Sequence, residues 1–394
     1  LSGSADKTLR LWDLLSGGCL QTFKGHEENV TAVALIPGNH FAVSGSSDKT
    51  LRLWALSHGK CLRTFKGHEG SVAAAAVTPD GRFAVSGSTD RTLRLWLLDP
   101  EFQSYKATLQ VCRQRDHREL QMLRERFRKH LSQAELARKA GRAATAYTFL
   151  TLARSVPGYE RDPEALAVNA ALGGILQRKN LRAGRLLKIL EGHEDSVTAV
   201  TVTPDGRFVA SASRDQTVRL WTLSTGKCIR TFKGHGDSVT CVAVTPDRHF
   251  LVSGSWDKSL RLWAIATGEC LKTLTGHKDY VRTAAITPDG YFAVSGSSDK
   301  TLRLWSLVTD KYLQIFEGLV LPLEDAYKSA ELATDKSLQT FRGHLWDVET
   351  VDVTPDGRFA LSGSQDKTLR LWDLMTGRCL RTFEGHTDYV TAVT

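Results

Sequence analysis

Histidine, serine and aspartate recur together along this chain at one fixed spacing. Ser44 follows His26 by 18 residues and Asp48 follows it by 22. The same intervals return in His68, Ser86 and Asp90, in His193, Ser211 and Asp215, and in His235, Ser253 and Asp257. They return again in His277, Ser295 and Asp299 and in His344, Ser362 and Asp366. These are the residue types of an acyl-transfer triad, where a carboxylate orients an imidazole that takes the proton of a nucleophilic hydroxyl. Repetition argues against that chemistry. An active site needs one such set, and a set that returns with every unit of the chain serves what the units share. The sequence also lacks a Gly-x-Ser-x-Gly elbow, a phosphate-binding loop and a metal-spaced pair of histidines. The expectation is a chain that is not an enzyme, with no catalytic residue, no metal and no cofactor.

The elements that must position these residues follow from the period. Each His is preceded by Gly and followed 28 residues later by a Trp: Trp54, Trp96, Trp221, Trp263, Trp305 and Trp372. Trp12 to Trp54, Trp54 to Trp96, Trp221 to Trp263 and Trp263 to Trp305 are all 42 residues apart. Such a period, marked by Gly-His and Trp-Asp, is the signature of a β-propeller built from four-stranded blades. Val30 to Ile36, Phe41 to Gly45, Thr50 to Trp54 and Cys61 to Phe65 read as the four strands of one blade, rich in β-branched and aromatic residues. Pro-Asp-Gly, as in Pro79-Asp80-Gly81, marks the turn between the first two. Leu1 to Trp12 is the second half of a unit and Gly385 to Thr394 the first half of another, so the two ends should share one blade and close the ring. We number that shared blade 1. The chain reads as a fragment of a longer protein, or as a propeller opened at a loop.

With these marks the chain resembles the WD-repeat family, and within it bacterial members with a helical insertion. The resemblance implies an all-β, seven-bladed propeller. It implies that His, Ser, Asp and Trp pin each blade by hydrogen bonds, with Ser2, Asp6 and Trp12 meeting His386 in blade 1. Each His would then be a structural donor and not a base. It also implies that the face near the Gly-His loops binds peptides.

Hydrophobic content of 41% and charged content of 24% suit an ordinary globular chain. No apolar run is long enough to span a membrane, and no signal peptide is visible. Five of the seven cysteines (Cys19, Cys61, Cys228, Cys270, Cys379) share one repeat position at the start of the fourth strand. They read as small buried hydrophobes of a reducing cytoplasm. The near-identity of the repeats is what recent duplication leaves, and on that ground a prokaryotic source is expected. Net charge is +9, and residues 99–187 hold 17 Lys/Arg against 9 Asp/Glu, so a basic insertion sits in a nearly neutral propeller.

Three segments result: 1–98, the propeller to the third strand of blade 3; 99–185, a mainly α-helical basic insertion in that blade; and 186–394, the rest of the ring. In the insertion, Leu120, Leu123, Phe127 and Leu131 predict an amphipathic helix over 113–131. Residues 133–154 read as two short helices about Gly141, and Asp162-Pro163 starts another. A second, short insertion falls at about 317–337. Beside it, 313–316 and 338–341 are near copies of one strand, and the shorter closure favours the first as the fourth strand of blade 6.

Because the repeats are so alike, departures from them stand out. On the Gly-His face, at three and five residues after the His and one before the Asp, blades 2 and 3 carry small side chains. Later blades carry Arg214, Trp256, Tyr280, Arg282, Asp347 and Glu349, with Trp346 beside them, and blade 1 carries Tyr389. Trp, Tyr and Arg are the types that dominate binding hot spots. The function expected is a non-catalytic interaction scaffold for a protein or peptide ligand, docking on that face as a monomeric propeller and serving as the sensor or docking domain of a larger protein. Two alternatives stand beside it: nucleic-acid or acidic-partner binding through the basic helices, and a regulatory domain of an enzyme whose catalytic part lies outside this chain.

Overall fold

The computed structural model describes residues 1–38, 40–98, 117–139, 149, 185–307 and 337–394. Within them the chain forms seven four-stranded antiparallel sheets, the blades of a β-propeller. Blade 2 shows the logic, with strands Val30–Leu35, Phe41–Ser46, Leu51–Ala55 and Lys60–Phe65 paired in sequence order. Burial peaks in its second and third strands, where Ala42, Val43, Leu51, Leu53 and Trp54 are fully buried. Arg52 alternates with Leu51 and Leu53 toward the outside, as period-2 geometry requires.

The blades pack closely because the second strand carries a glycine where its neighbour approaches. A Cβ on Gly87 would lie 2.5 Å from a methyl of Val197 in the first strand of blade 4. First strands of successive blades contact one another all the way round the ring. The strand Val390–Val393 pairs with Ser2–Ser4 in blade 1, with Ser2 opposite Val393 and Gly3 opposite Ala392.

The chain divides into two units, Leu1–Leu98 with Gly184–Thr394, and Asp99–Ala183. In blade 3 the third strand, Leu93–Leu97, pairs with Arg185–Leu190, so the second unit interrupts the hairpin between strands three and four. Among its described residues that unit shows the helix His117–Lys139. It differs from the expected break near residue 132, since nothing there stops a helix and the Ser132 hydroxyl donates back to the Lys129 carbonyl. Its buried stripe continues through Phe127, Leu131, Ala134 and Ala137. The helices expected about Gly141 and after Asp162 lie outside the described residues. No helix among the described residues is long and apolar enough to cross a membrane.

Two further expectations are corrected. The fourth strand of blade 6 is Gln339–Arg342, the second near copy, with Thr301 opposite Arg342 and Leu302 opposite Phe341. The second interruption therefore falls between strands three and four of blade 6, not after its fourth strand. What decides it is continuity: Arg342 runs directly into Gly343-His344, the His that blade 7 needs, whereas 313–316 leads into no Gly-His. The Gln339 amide also donates to the Leu374 carbonyl and accepts from the Gly377 N–H of blade 7, both at 3.0 Å. The five repeated cysteines are exposed, not buried. The fourth strand is the outer edge of its sheet, so no neighbour covers it, and each thiol turns to a local carbonyl such as that of Arg63, 3.4 Å from Cys61.

Candidate functional site

Each blade carries the same polar pin. In blade 2, Trp54 Nε1–H donates to Ser44 Oγ at 2.8 Å, the Ser44 hydroxyl donates to His26 Nε2 at 2.7 Å, and His26 Nδ1–H donates to Asp48 Oδ2 at 2.7 Å. An ionised carboxylate only accepts, which fixes the neutral tautomer of the imidazole. The other carboxylate oxygen accepts from the Thr50 N–H at 3.0 Å and hydroxyl at 2.6 Å, holding a turn in which Lys49 sits at φ 67°. All seven blades repeat this, and in blade 1 His386 reaches Ser2 at 2.8 Å and Asp6 at 2.9 Å across the chain ends. The linear order Ser–His–Asp is that of a hydrolase triad. Yet each serine is fully buried and its oxygen is already occupied by an indole N–H, so none of these hydroxyls can meet a substrate carbonyl.

The electrostatics agree with a scaffold role. Burial lowers the pKa of His26, His68 and His277, against the pull of the paired carboxylate, so these rings stay neutral. Burial alone would raise the Asp90 carboxyl. Hydrogen bonds from Thr92 and His68 outweigh it and bring the value down to about 2.

Six of the eight predicted site residues meet across the blade seams on the Gly-His face, and Trp346 and Tyr389 stand apart from them. Arg214 of blade 4 lies over the Trp256 ring of blade 5, its guanidinium carbon 5.7 Å from the centroid. Trp256 stacks on Tyr280 of blade 6 at 5.3 Å and 26°, and its indole N–H is buried with no acceptor among the described residues. Arg282 reaches into blade 7, to Asp347 at 3.0 Å and Glu349 at 3.5 Å, while its Nε donates to Ser298 Oγ at 2.8 Å. Gln365 donates to Glu349 at 2.5 Å. Burial pushes the Glu349 carboxyl above its ordinary value despite Arg282 and Gln365. Trp346 is 59% exposed beneath the Lys300 ammonium, which lies 5.6 Å from its ring, and Tyr389 is 45% exposed. So Arg214, Trp256 and Tyr280 form one contact chain, and Arg282, Asp347 and Glu349 a second beside it.

Six segments of the chain, residues 17–55, 59–96, 184–222, 226–264, 268–306 and 335–373, match the family model WD40, "WD domain, G-beta repeat". Together they make up more than half of it. The chain belongs to the WD40 family. Each matched unit runs from the fourth strand of one blade through the third of the next. Among curated proteins, the ribosome biogenesis protein BOP1 homologs of Drosophila willistoni, Drosophila erecta and Drosophila melanogaster are each 39% identical over 72 residues, 16% of this chain and 9% of the relative. The match thus spans under a tenth of the length of those relatives. Their insect source lends no support to the expected prokaryotic origin.

The WD40 geometry also shows what the sequence comparison passed over. Leu345, one residue after His344, is 69% exposed at the loop tip beside Trp346. Other blades carry Glu, Gly, Lys or Thr there, so the signal was present one position from those compared. A hollow of about 370 Å³ near His68, lined by Glu27, Asp48, Lys49, Arg52 and Lys66, is built from repeat residues and marks no particular blade.

Proposed function

We propose that this WD40 propeller is a non-catalytic docking platform that holds a protein or peptide segment on its Gly-His face. The arc of Arg214, Trp256, Tyr280, Arg282, Trp346, Asp347, Glu349 and Tyr389 is its contact surface. One observation carries the reading: departures from the repeat gather on neighbouring blades of one face and lock together there, while the pins beneath remain intact in every blade. Interfaces use Trp, Tyr and Arg as anchors, held rigid before the partner arrives. The BOP1 homologs act in ribosome biogenesis by name, but the match covers 16% of this chain and 9% of the relative, so only the platform is carried over. Five exposed thiols without a disulfide partner fit a reducing compartment such as the cytoplasm, and the chain serves as the docking part of a larger protein.

The test compares captured proteins from source cells using the whole chain and the Trp256→Ala plus Arg282→Glu variant, with thermal melts to confirm folding. Prey lost only from the variant supports the platform. Prey retained by it, and released steeply by salt, would move the function to the basic residues of 99–185 and to nucleic acid.

A further inference from the structure

Resting on that platform reading, the charge balance of the arc selects the ligand. We propose that the segment bound over blades 6, 7 and 1 presents one lysine or arginine side chain between apolar residues. Arg282 is the cation a ligand carboxylate would seek, and it is already held by Asp347 and Glu349 at 3.0 and 3.5 Å. Two carboxylates against one guanidinium leave a surplus negative charge beside exposed aromatic rings. An incoming carboxylate would have to displace built-in partners, whereas an incoming cation meets two carboxylates that share a single guanidinium.

The apolar part is equally open. Leu345, Trp346, Tyr389 and Tyr280 are 69, 59, 45 and 40% exposed on adjoining loops. The chain itself uses two indole rings of this face against cations, Trp256 with Arg214 and Trp346 with Lys300. A ligand ammonium or guanidinium over the remaining ring surface repeats that chemistry. Asp279 and Asp388 add negative charge at the same loop tips, each accepting the next tyrosine N–H at 2.9 Å. The rim limits the charge to one. Lys278 holds the loop-tip position that Leu345 holds one blade on, and Lys300 lies 5.6 Å from the Trp346 ring, so a basic run would meet repulsion.

A randomised nine-residue peptide library displayed on phage is panned on the whole chain, and enriched peptides are measured by fluorescence anisotropy. Enrichment of a single Lys or Arg flanked by Leu, Ile or Phe is expected. Replacing that cation by Glu, or Trp346→Ala in the protein, should weaken binding at least tenfold. Asp347→Asn with Glu349→Gln frees Arg282 and should turn the preference toward acidic peptides, a gain that misfolding cannot mimic. Enriched peptides that are acidic or uncharged, yet lost with Trp346→Ala, overturn the cationic ligand and keep the platform. No enrichment, or binding that survives both Trp346→Ala and Trp256→Ala, overturns the platform and the ligand together.

Discussion

Replacing Ser211 by alanine separates a structural pin from a nucleophile. Ser211 is fully buried, accepts Trp221 Nε1–H at 2.7 Å and donates to His193 Nε2 at 2.7 Å. Alanine fills nearly the same volume, so packing barely changes, but an indole N–H and an imidazole nitrogen lose their partners out of reach of solvent. An orphaned buried group costs about 1–3 kcal/mol, and two of them about 2–6 kcal/mol. Denaturant unfolding followed by tryptophan fluorescence and far-UV circular dichroism reads this as a lower midpoint at constant slope. Trp221→Phe made on the Ser211→Ala background should cost roughly 1 kcal/mol less than on the native chain, because the N–H it removes has no partner left. A midpoint that does not move, or full additivity of the two changes, would refute the pin. A triad serine would behave otherwise, with lost turnover and little lost stability.

The pH dependence follows from the same pins. His26, His68 and His277 have lowered pKa values, so their contribution is complete above the ordinary value of 6.5 and erodes as pH falls below it. Asp90 adds a second loss as pH falls from 3.8 toward 2. Asp352, which burial pushes up to about 6, works in the opposite sense but is outnumbered by the pins. Unfolding midpoints that rise between pH 7 and pH 5 would contradict this. Gly87→Ala puts a methyl 2.5 Å from Val197 and should destabilise by about 1–3 kcal/mol. The lower end is favoured because blade 4 carries Ala212 at that position, and Gly236→Ala, whose nearest contact would be 3.9 Å away, is the control expected to be nearly silent. Phe341 is buried edge-on to Trp372 at 6.0 Å, so Phe341→Ala should cost about 3–5 kcal/mol in thermal unfolding. Should Phe316→Ala prove the costlier change, the strand assigned to blade 6 would be wrong.

The ring was legible because its code is redundant. One glycine, one histidine and one tryptophan at fixed spacing say little alone, but their return at 42 residues counts the blades, orders the strands and discounts the triad. What the sequence misjudged was what lies beside a residue, not along it. Cys61 repeats like a core position, yet its strand has a neighbour on one side only. The two copies of the blade 6 strand are equal by pattern, and the bond that separates them is the peptide link from Arg342 to Gly343-His344.

Arg282 shows the same limit at the candidate site. Its position, five residues after the His, is a seam position before it is a binding position. In blades 2, 4, 5 and 1, Thr31, Thr198, Thr240 and Thr391 stand there, and each hydroxyl donates to a carbonyl of the next blade: Val72, Val239, Val281 and Val30. Arg282 takes the place of such a threonine and its seam bond becomes an ion pair with Glu349, the residue at the same position one blade on. Opposite charges at equivalent positions of consecutive repeats were therefore the available signal, and it points inward. A departure from the repeat is evidence of a ligand only after its bond to the adjoining blade has been subtracted. By that measure Arg282 is a positioning residue, and what a partner meets is Leu345, Trp346, the outer faces of Tyr280 and Tyr389, and the exposed part of the Asp347 and Glu349 carboxylates that share Arg282.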